Sequence, residues 1–280
     1  MNVQKKIALG LIRAKLNSLA IINRRKAGQE AFRLFCTPLS KSTRKSEVFN
    51  DAEKLQLTMN GKIIRGFRFN HPAENKILIL HGFSSSSQHF DKYIQPLVDK
   101  NYEVLIFDAP AHGISEGTTV NALDYSNMIK EVNQHFGPIH GYIAHSFGGL
   151  AVCLALEDMQ HHSGNKLVLI APATETTSAI ENAFIMLGIK NPNIKKALED
   201  QILAMSGKDP SWFSVRRAMK NIRATVKWFH DEEDDTTPLN DALKVKDDNH
   251  LHVSFRITKG LGHSRIYKDA QIRNEVIDCF

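Results

Sequence analysis

An α/β architecture with a mostly parallel central sheet is what this chain predicts, and three observations carry the prediction. Short, nearly continuous apolar runs recur at residues 77–80, 104–107, 142–144, 167–170, 226–229 and 253–257, the pattern of strands buried on both faces. Stretches with helical periodicity lie between them, near 89–99, 121–136, 147–159, 239–246 and again after Ser264, and strand–helix alternation builds a parallel sheet through right-handed crossovers. With 280 residues, 42% hydrophobic and 24% charged, the chain can fill one large core and has no composition of a disordered or repeat protein.

The first element departs from this pattern. Residues 1–50 hold eleven Lys and Arg against Glu30 and Glu47, so they carry +9 while the rest of the chain carries −3. Basicity confined to one end gives the rest of the chain no electrostatic footprint for nucleic acid. Within this segment Leu9, Ile12, Leu16 and Leu19 form one apolar helical stripe, with Lys5, Lys6, Arg13 and Lys15 on other faces. Arg13, Lys15 and Asn17 interrupt the stretch, which is too short and polar to span a bilayer, and no small-residue cleavage site follows it. Two readings stay open: a basic helix resting weakly on an anionic membrane surface or partner through residues 1–26, or a helical arm packed on its own domain or across a dimer.

From Glu53 onward, Leu55, Leu57 and Met59 alternate, Asn60-Gly61 follows, and a second apolar run covers 64–69, which predicts a β-hairpin leading into the sheet. One connection is too long for a crossover. Between the strands at 167–170 and 226–229 lie some fifty residues of helical periodicity, an insertion rather than a loop. The expected organisation is therefore a basic helical extension over 1–50 and a main α/β domain over 51–280 with a helical cap at 174–223. Cys36, Cys153 and Cys279 are few, scattered and without metal-ligand spacing, so neither disulfides nor a zinc site is expected, and a reducing, cytoplasmic setting fits best.

The residues that decide the chemistry stand where strands end. In Tyr142-Ile143-Ala144-His145-Ser146-Phe147-Gly148-Gly149 a strand turns sharply into a helix, with small residues two before and two after the serine. A serine N-cap on a glycine-bearing helix would give the same five residues. The segment resembles the nucleophile elbow of the α/β-hydrolase superfamily, in which small neighbours let strand and helix backbones press together; Ala144 stands where glycine is commonest. His81-Gly82-Phe83 resembles the family's oxyanion loop, which implies the backbone N–H groups of Phe83 and Phe147 as the oxyanion donors. Asp108-Ala109-Pro110-Ala111-His112-Gly113 is similar to a structural loop of the family, so Asp108 and His112 are left out of the catalytic set, and the serines at 84–87 are expected to be mostly solvated.

In Phe229-His230-Asp231-Glu232-Glu233-Asp234-Asp235-Thr236-Thr237-Pro238 the resemblance puts the catalytic acid four residues before the proline, at Asp234. Asp231 occupies a position where the family usually has glycine, Asp235 one where it often has proline, and the four other acids of the loop are expected to be solvated charge. His263, preceded by Gly262 and following the last strand, resembles the catalytic histidine, and the order serine, acid, histidine is that of the fold.

The resemblance thus covers residues 53–280. It implies a serine hydrolase that cleaves a small-molecule carboxylic ester or thioester through an acyl-enzyme, with no cofactor and no metal. The same fold also serves acyltransfer and C–C bond hydrolysis, and a non-catalytic binding protein is the reading from another class, disfavoured by a complete triad. Phe184, Met205, Trp212 and Phe213 of the insertion are the candidates for an apolar acyl pocket, although at helical spacing most such residues are core. Nothing in the sequence reads out the oligomeric state.

Overall fold

The computed structural model describes residues 3–39, 41–42 and 44–280. Residues 1 and 2, at the start of the basic segment, and the side chains of Lys5 and Lys6 lie outside that description. The strands are β1 (Glu53–Met59), β2 (Lys62–Phe69), β3 (Lys76–Leu80), β4 (Glu103–Phe107), β5 (Gly141–His145), β6 (Lys166–Ile170), β7 (Thr225–Asp231) and β8 (Val253–Thr258). The helices are α1 (Val3–Ile22), α2 (Arg24–Phe35), α3 (Asp91–Asp99), α4 (Ala122–Phe136), α5 (Phe147–Leu156), α6 (Thr176–Leu187), α7 (Pro192–Ser206), α8 (Val215–Met219), α9 (Leu239–Asp247), α10 (Gly262–Arg265) and α11 (Ala270–Ile277).

These elements form two compact units. The larger comprises Pro38–Thr174 and Ser214–Phe280, the smaller Met1–Thr37 and Glu175–Phe213. The basic helices and the inserted helices, separate segments in the sequence, thus fold together as one unit.

In the larger unit a single eight-stranded sheet runs in the order β1-β2-β4-β3-β5-β6-β7-β8. β1 and β2 pair antiparallel through Asn60-Gly61, both residues at positive φ, and β2 pairs antiparallel with β4; all remaining pairs are parallel. The apolar runs are the interior strands, with β3, β4, β5 and β6 buried almost throughout. Alternation divides them between two layers. Ile77, Ile79, Val104, Ile106, Ile143, Val168, Ile170 and Phe229 face Tyr93 and Leu97 of α3 and Ile272 and Val276 of α11, each aliphatic contributing about 1.5–3 kcal/mol by leaving water. On the other face α4 packs along α5, where Phe107 meets Phe136 at 5.6 Å between ring centroids. Parallel strands place all their carboxyl ends along one edge, where open α/β sheets carry their sites.

In the smaller unit α2 packs closely on α7, and a Cβ added at Gly28 would fall 2.2 Å from the Ala197 carbonyl oxygen. Only glycine lets the two backbones approach that far. Ala27, Ala31, Ile194, Ala197, Leu198 and Ile202 are the buried faces of these helices. Arg24 to Asp200 at 2.8 Å and Lys15 to Glu30 at 2.8 Å tie the exposed sides. In α1 Leu16 is buried, and Leu9, Ile12 and Leu19 are half-buried.

Candidate active site

Ser146 joins β5 to α5 with φ 54° and ψ −119°, a left-handed conformation that costs a side-chain-bearing residue about 1–3 kcal/mol. Its surroundings impose this. Ser146 N–H donates to the Ile170 carbonyl at 3.1 Å, and its own carbonyl accepts from Ala173 N–H at 2.9 Å. A Cβ on Gly148 would lie 2.8 Å from the carbonyl oxygens of Leu80 and His81, and one on Gly149 2.6 Å from the Pro172 side chain. Small residues after the serine are thus a steric requirement of the turn, which lifts the Ser146 hydroxyl above the sheet edge.

The Ser146 hydroxyl meets His263 Nε2 at 3.0 Å, and His263 Nδ1 meets Asp234 Oδ2 at 2.8 Å. Asp234 also accepts from the N–H groups of Thr236 (2.9 Å) and Thr237 (2.8 Å) and from the Thr237 hydroxyl (2.8 Å). Burial pushes its carboxyl upward, but the bonds from His263 and the two threonine N–H groups outweigh this and hold it below the ordinary carboxylate range. The Thr237 hydroxyl lies 3.1 Å from His263 Nδ1 as well as bonding Asp234, so it braces both partners. The neighbouring His230 donates from Nε2 to the Thr237 carbonyl at 2.8 Å and accepts at Nδ1 from the Trp228 indole at 3.3 Å. Burial lowers its pKa, so it stays neutral.

The acidic loop differs from the expectation that four of its five acids are solvated. Glu232, Glu233 and Asp235 are exposed, whereas Asp231 is 0% exposed. Its Oδ1 accepts from the N–H groups of Glu233 (3.0 Å) and Gly262 (2.9 Å), and its Oδ2 from the Thr258 hydroxyl (2.6 Å) and Leu261 N–H (3.1 Å). Against the upward push of burial, these bonds hold the carboxyl below its ordinary value. Asp231 therefore fastens the end of β7 to the two residues immediately before His263. Sequence reasoning missed this role and that of Thr237; the available signal was an acid standing at a strand end where glycine is usual.

His145 completes the surroundings of the histidine. It donates from Nε2 to the His263 carbonyl at 3.1 Å, and its ring lies 4.8 Å from that of His263 and 4.4 Å from that of Tyr267. Burial, aided by the charge His263 would carry, lowers its pKa to about 3, so it packs as a neutral ring.

The loop after β3 is fixed by histidines held neutral by burial. His81 donates from Nδ1 to the Gly82 carbonyl and accepts at Nε2 from Ala109 N–H, while Tyr125 donates to the His81 carbonyl. His112 accepts from Ser84 N–H at 2.9 Å, and Ser85 N–H donates to Gly82. Among the described residues, neither Phe83 N–H nor Phe147 N–H donates to a protein acceptor. The two rings meet edge to face at 5.6 Å. Asp108 accepts from Ser87 N–H at 2.7 Å and Ile114 N–H at 2.9 Å, the bracing expected of it. The serine run is a correction: Ser86 and Ser87 are buried, because the chain turns inward there to reach Asp108.

Of the acyl-pocket candidates, Phe184 and Phe213 are buried, Trp212 is half-buried and meets Phe213 edge to face, and Met205 is exposed. All four belong to the smaller unit, whereas the serine, histidine and aspartate are assembled within the larger. Among the described residues no three His, Cys, Asp or Glu side chains are grouped so as to hold a metal ion. No helix among them is long and apolar enough to cross a membrane.

A mostly parallel eight-stranded sheet with helices on both faces and a serine elbow after its fifth strand makes the chain an α/β hydrolase. More narrowly, it belongs to the serine aminopeptidase family S33, whose model matches residues 71–243. That match spans Ser146 and Asp234 and ends before His263. No curated protein matches the chain. Among solved structures, an esterase of Pyrococcus furiosus is similar at 16% identity and TM-score 0.65, covering 87% of this chain and 97% of its own. A membrane phospholipase A described as a bacterial virulence factor aligns at 14% identity and TM-score 0.61, covering 98% of this chain and 97% of its own. A thioesterase domain from the curacin biosynthetic pathway aligns at 14% identity and TM-score 0.58, over 82% and 98%. At such identities the likeness is one of fold.

Proposed function

We propose that the chain is a serine hydrolase that cleaves a carboxylic ester or thioester by way of an acyl-enzyme. Ser146 is the nucleophile, His263 the general base and then acid, and Asp234 the supporting carboxylate. The observation that carries this reading is the continuous path from Ser146 Oγ to His263 Nε2 at 3.0 Å and from His263 Nδ1 to Asp234 Oδ2 at 2.8 Å. As Oγ attacks the acyl carbon, Nε2 takes the hydroxyl proton, and the Asp234 charge stabilises the imidazolium. The carbonyl oxygen, now negative, is held by the N–H groups of Phe83 and Phe147, the second at the start of α5, where the helix dipole adds to the attraction. His263 passes its proton to the departing alkoxide or thiolate, and the acyl group stays on Ser146. Water then attacks along the same path, His263 taking its proton and returning it to Ser146.

The esterase and thioesterase among similar structures support the choice of ester over other acyl compounds. The test is labelling by a fluorophosphonate probe, followed by turnover of esters and thioesters of graded chain length with an aminoacyl amide alongside. Wild-type protein labels and favours an ester or thioester, and Ser146→Ala does neither while remaining folded. Labelling that survives in Ser146→Ala overturns the nucleophile, and preferential turnover of the amide replaces the ester reading with a peptidase one.

A further inference from the structure

The smaller unit combines two properties that the larger one lacks. It carries twelve Lys and Arg against six Asp and Glu, the whole of the chain's net +6, while the larger unit holds 24 of each sign. It also holds eight of the twelve large hydrophobic residues that are exposed among the described residues. Single exposed apolar side chains need no explanation, but their gathering in one positively charged unit does.

Helix α1 shows how they are arranged. Its inward stripe, centred on Leu16, faces its own unit, but a second stripe runs along the outside through Ile7, Leu11, Ala14, Ser18 and the pair Ile21 and Ile22. These positions repeat at helical spacing on one face. Ile7 is 59% exposed, Leu11 67%, Ile21 84% and Ile22 80%. The stripe ends at exposed Arg24, Arg25 and Lys26. The same helix reaches the turn after α6, where the Arg13 guanidinium lies against Gly188 and Asn17 bonds Asn191 at 3.1 Å. Exposed Ile185 and Met186 stand within one turn of that contact.

We propose that α1 is the lipid-docking face of this protein: Leu11, Ile21 and Ile22, with Ile185 and Met186 nearby, enter the interface of an anionic membrane while Arg25 and Lys26 engage its headgroups. An amphipathic surface of positive charge and bulky aliphatics matches a negatively charged lipid interface in both properties. A second copy of the chain would set a like-charged unit against this one, and a purely ionic partner would leave the isoleucines in water. This docking goes beyond the acyl chemistry and stands or falls independently of it.

The full-length protein is sedimented with vesicles of phosphatidylcholine alone and of phosphatidylcholine with phosphatidylglycerol. Binding is expected to the anionic vesicles only, weakening as salt screens the charges. The double substitutions Ile21→Gln/Ile22→Gln and Arg25→Glu/Lys26→Glu should each lower it by about tenfold or more, since each removes one half of the attraction. All these side chains are exposed, so melting temperature and turnover of a soluble short-chain ester should not change. The proposal is overturned by failure to bind anionic vesicles, by equal binding to phosphatidylcholine alone, or by variants that bind as the wild type does. It is equally overturned if Ile21→Gln/Ile22→Gln dissociates an oligomer in equilibrium sedimentation without any lipid binding to lose, which would assign the stripe to a second copy.

Discussion

Replacing Asp231 by asparagine tests whether the end of β7 holds the histidine loop in place. The carboxylate accepts four hydrogen bonds and is fully buried. Asparagine can keep its oxygen toward the N–H groups of Glu233 and Gly262, and the Thr258 hydroxyl can turn to accept from the new NH2. The Leu261 N–H then faces a second donor. A stranded buried donor costs about 1–3 kcal/mol, and the two retained bonds each lose about 1 kcal/mol of charge assistance, so the loss in stability comes to about 3–5 kcal/mol. For a unit of this size that corresponds to a drop in melting temperature of roughly 6–20 °C. Turnover should fall about a hundredfold, because Leu261 and Gly262 lead directly into His263 and a displacement near 1 Å is enough for that. The pH dependence has a definite sign. With its folded pKa depressed below the unfolded value near 3.9, Asp231 contributes stability that is present above that pH and lost as pH falls through the folded value. Acid titration of the wild type followed by circular dichroism should show this loss, and Asp231→Asn should show a shallower one. A variant that melts with the wild type and turns over within a few fold of it would show that Asp231 does not hold the histidine loop in place.

Two further outcomes follow from the same geometry. Asp234→Asn keeps the packing and the threonine contacts but favours the wrong imidazole tautomer, so turnover should drop about ten-thousandfold with little change in melting temperature; an active Asp234→Asn would move the acid elsewhere. Gly28→Ala forces α2 away from the Ala197 carbonyl and should destabilise the protein by about 1–3 kcal/mol, as overpacking does, read as a lower urea midpoint; an unchanged midpoint would mean that the helices separate freely.

Much of the larger unit was legible because its strands are buried on both faces and leave apolar runs that polar helices separate. The run at 142–144 becomes Gly141–His145, and the hairpin turns at Asn60-Gly61 as its residues require. Ser146, Asp234 and His263 could be proposed because the segments that hold them resemble the superfamily's motifs and follow the ends of β5, β7 and β8, which a parallel sheet gathers along one edge. Asp231 was not legible, since a loop of five acids does not reveal which carboxylate turns inward; that depends on the β8 loop arriving with three donors. The buried Ser86 and Ser87 were hidden in the same way, by the distant Asp108. Nor did the sequence reveal the pairing of α2 with α7, because each carries an amphipathic pattern that names no partner.

That pairing has a practical consequence for exchanging parts between hydrolases. The inserted helices look like a removable module, and grafting residues 175–213 onto a relative is the obvious way to transfer substrate preference. The graft would carry only half of a folding unit. Ala197, Leu198 and Ile202 would arrive without the helix that Gly28 allows to lie against them, and would meet water or an unrelated surface. A working chimera has to bring the first 37 residues along with the insertion, two cuts far apart in the chain that must be made together.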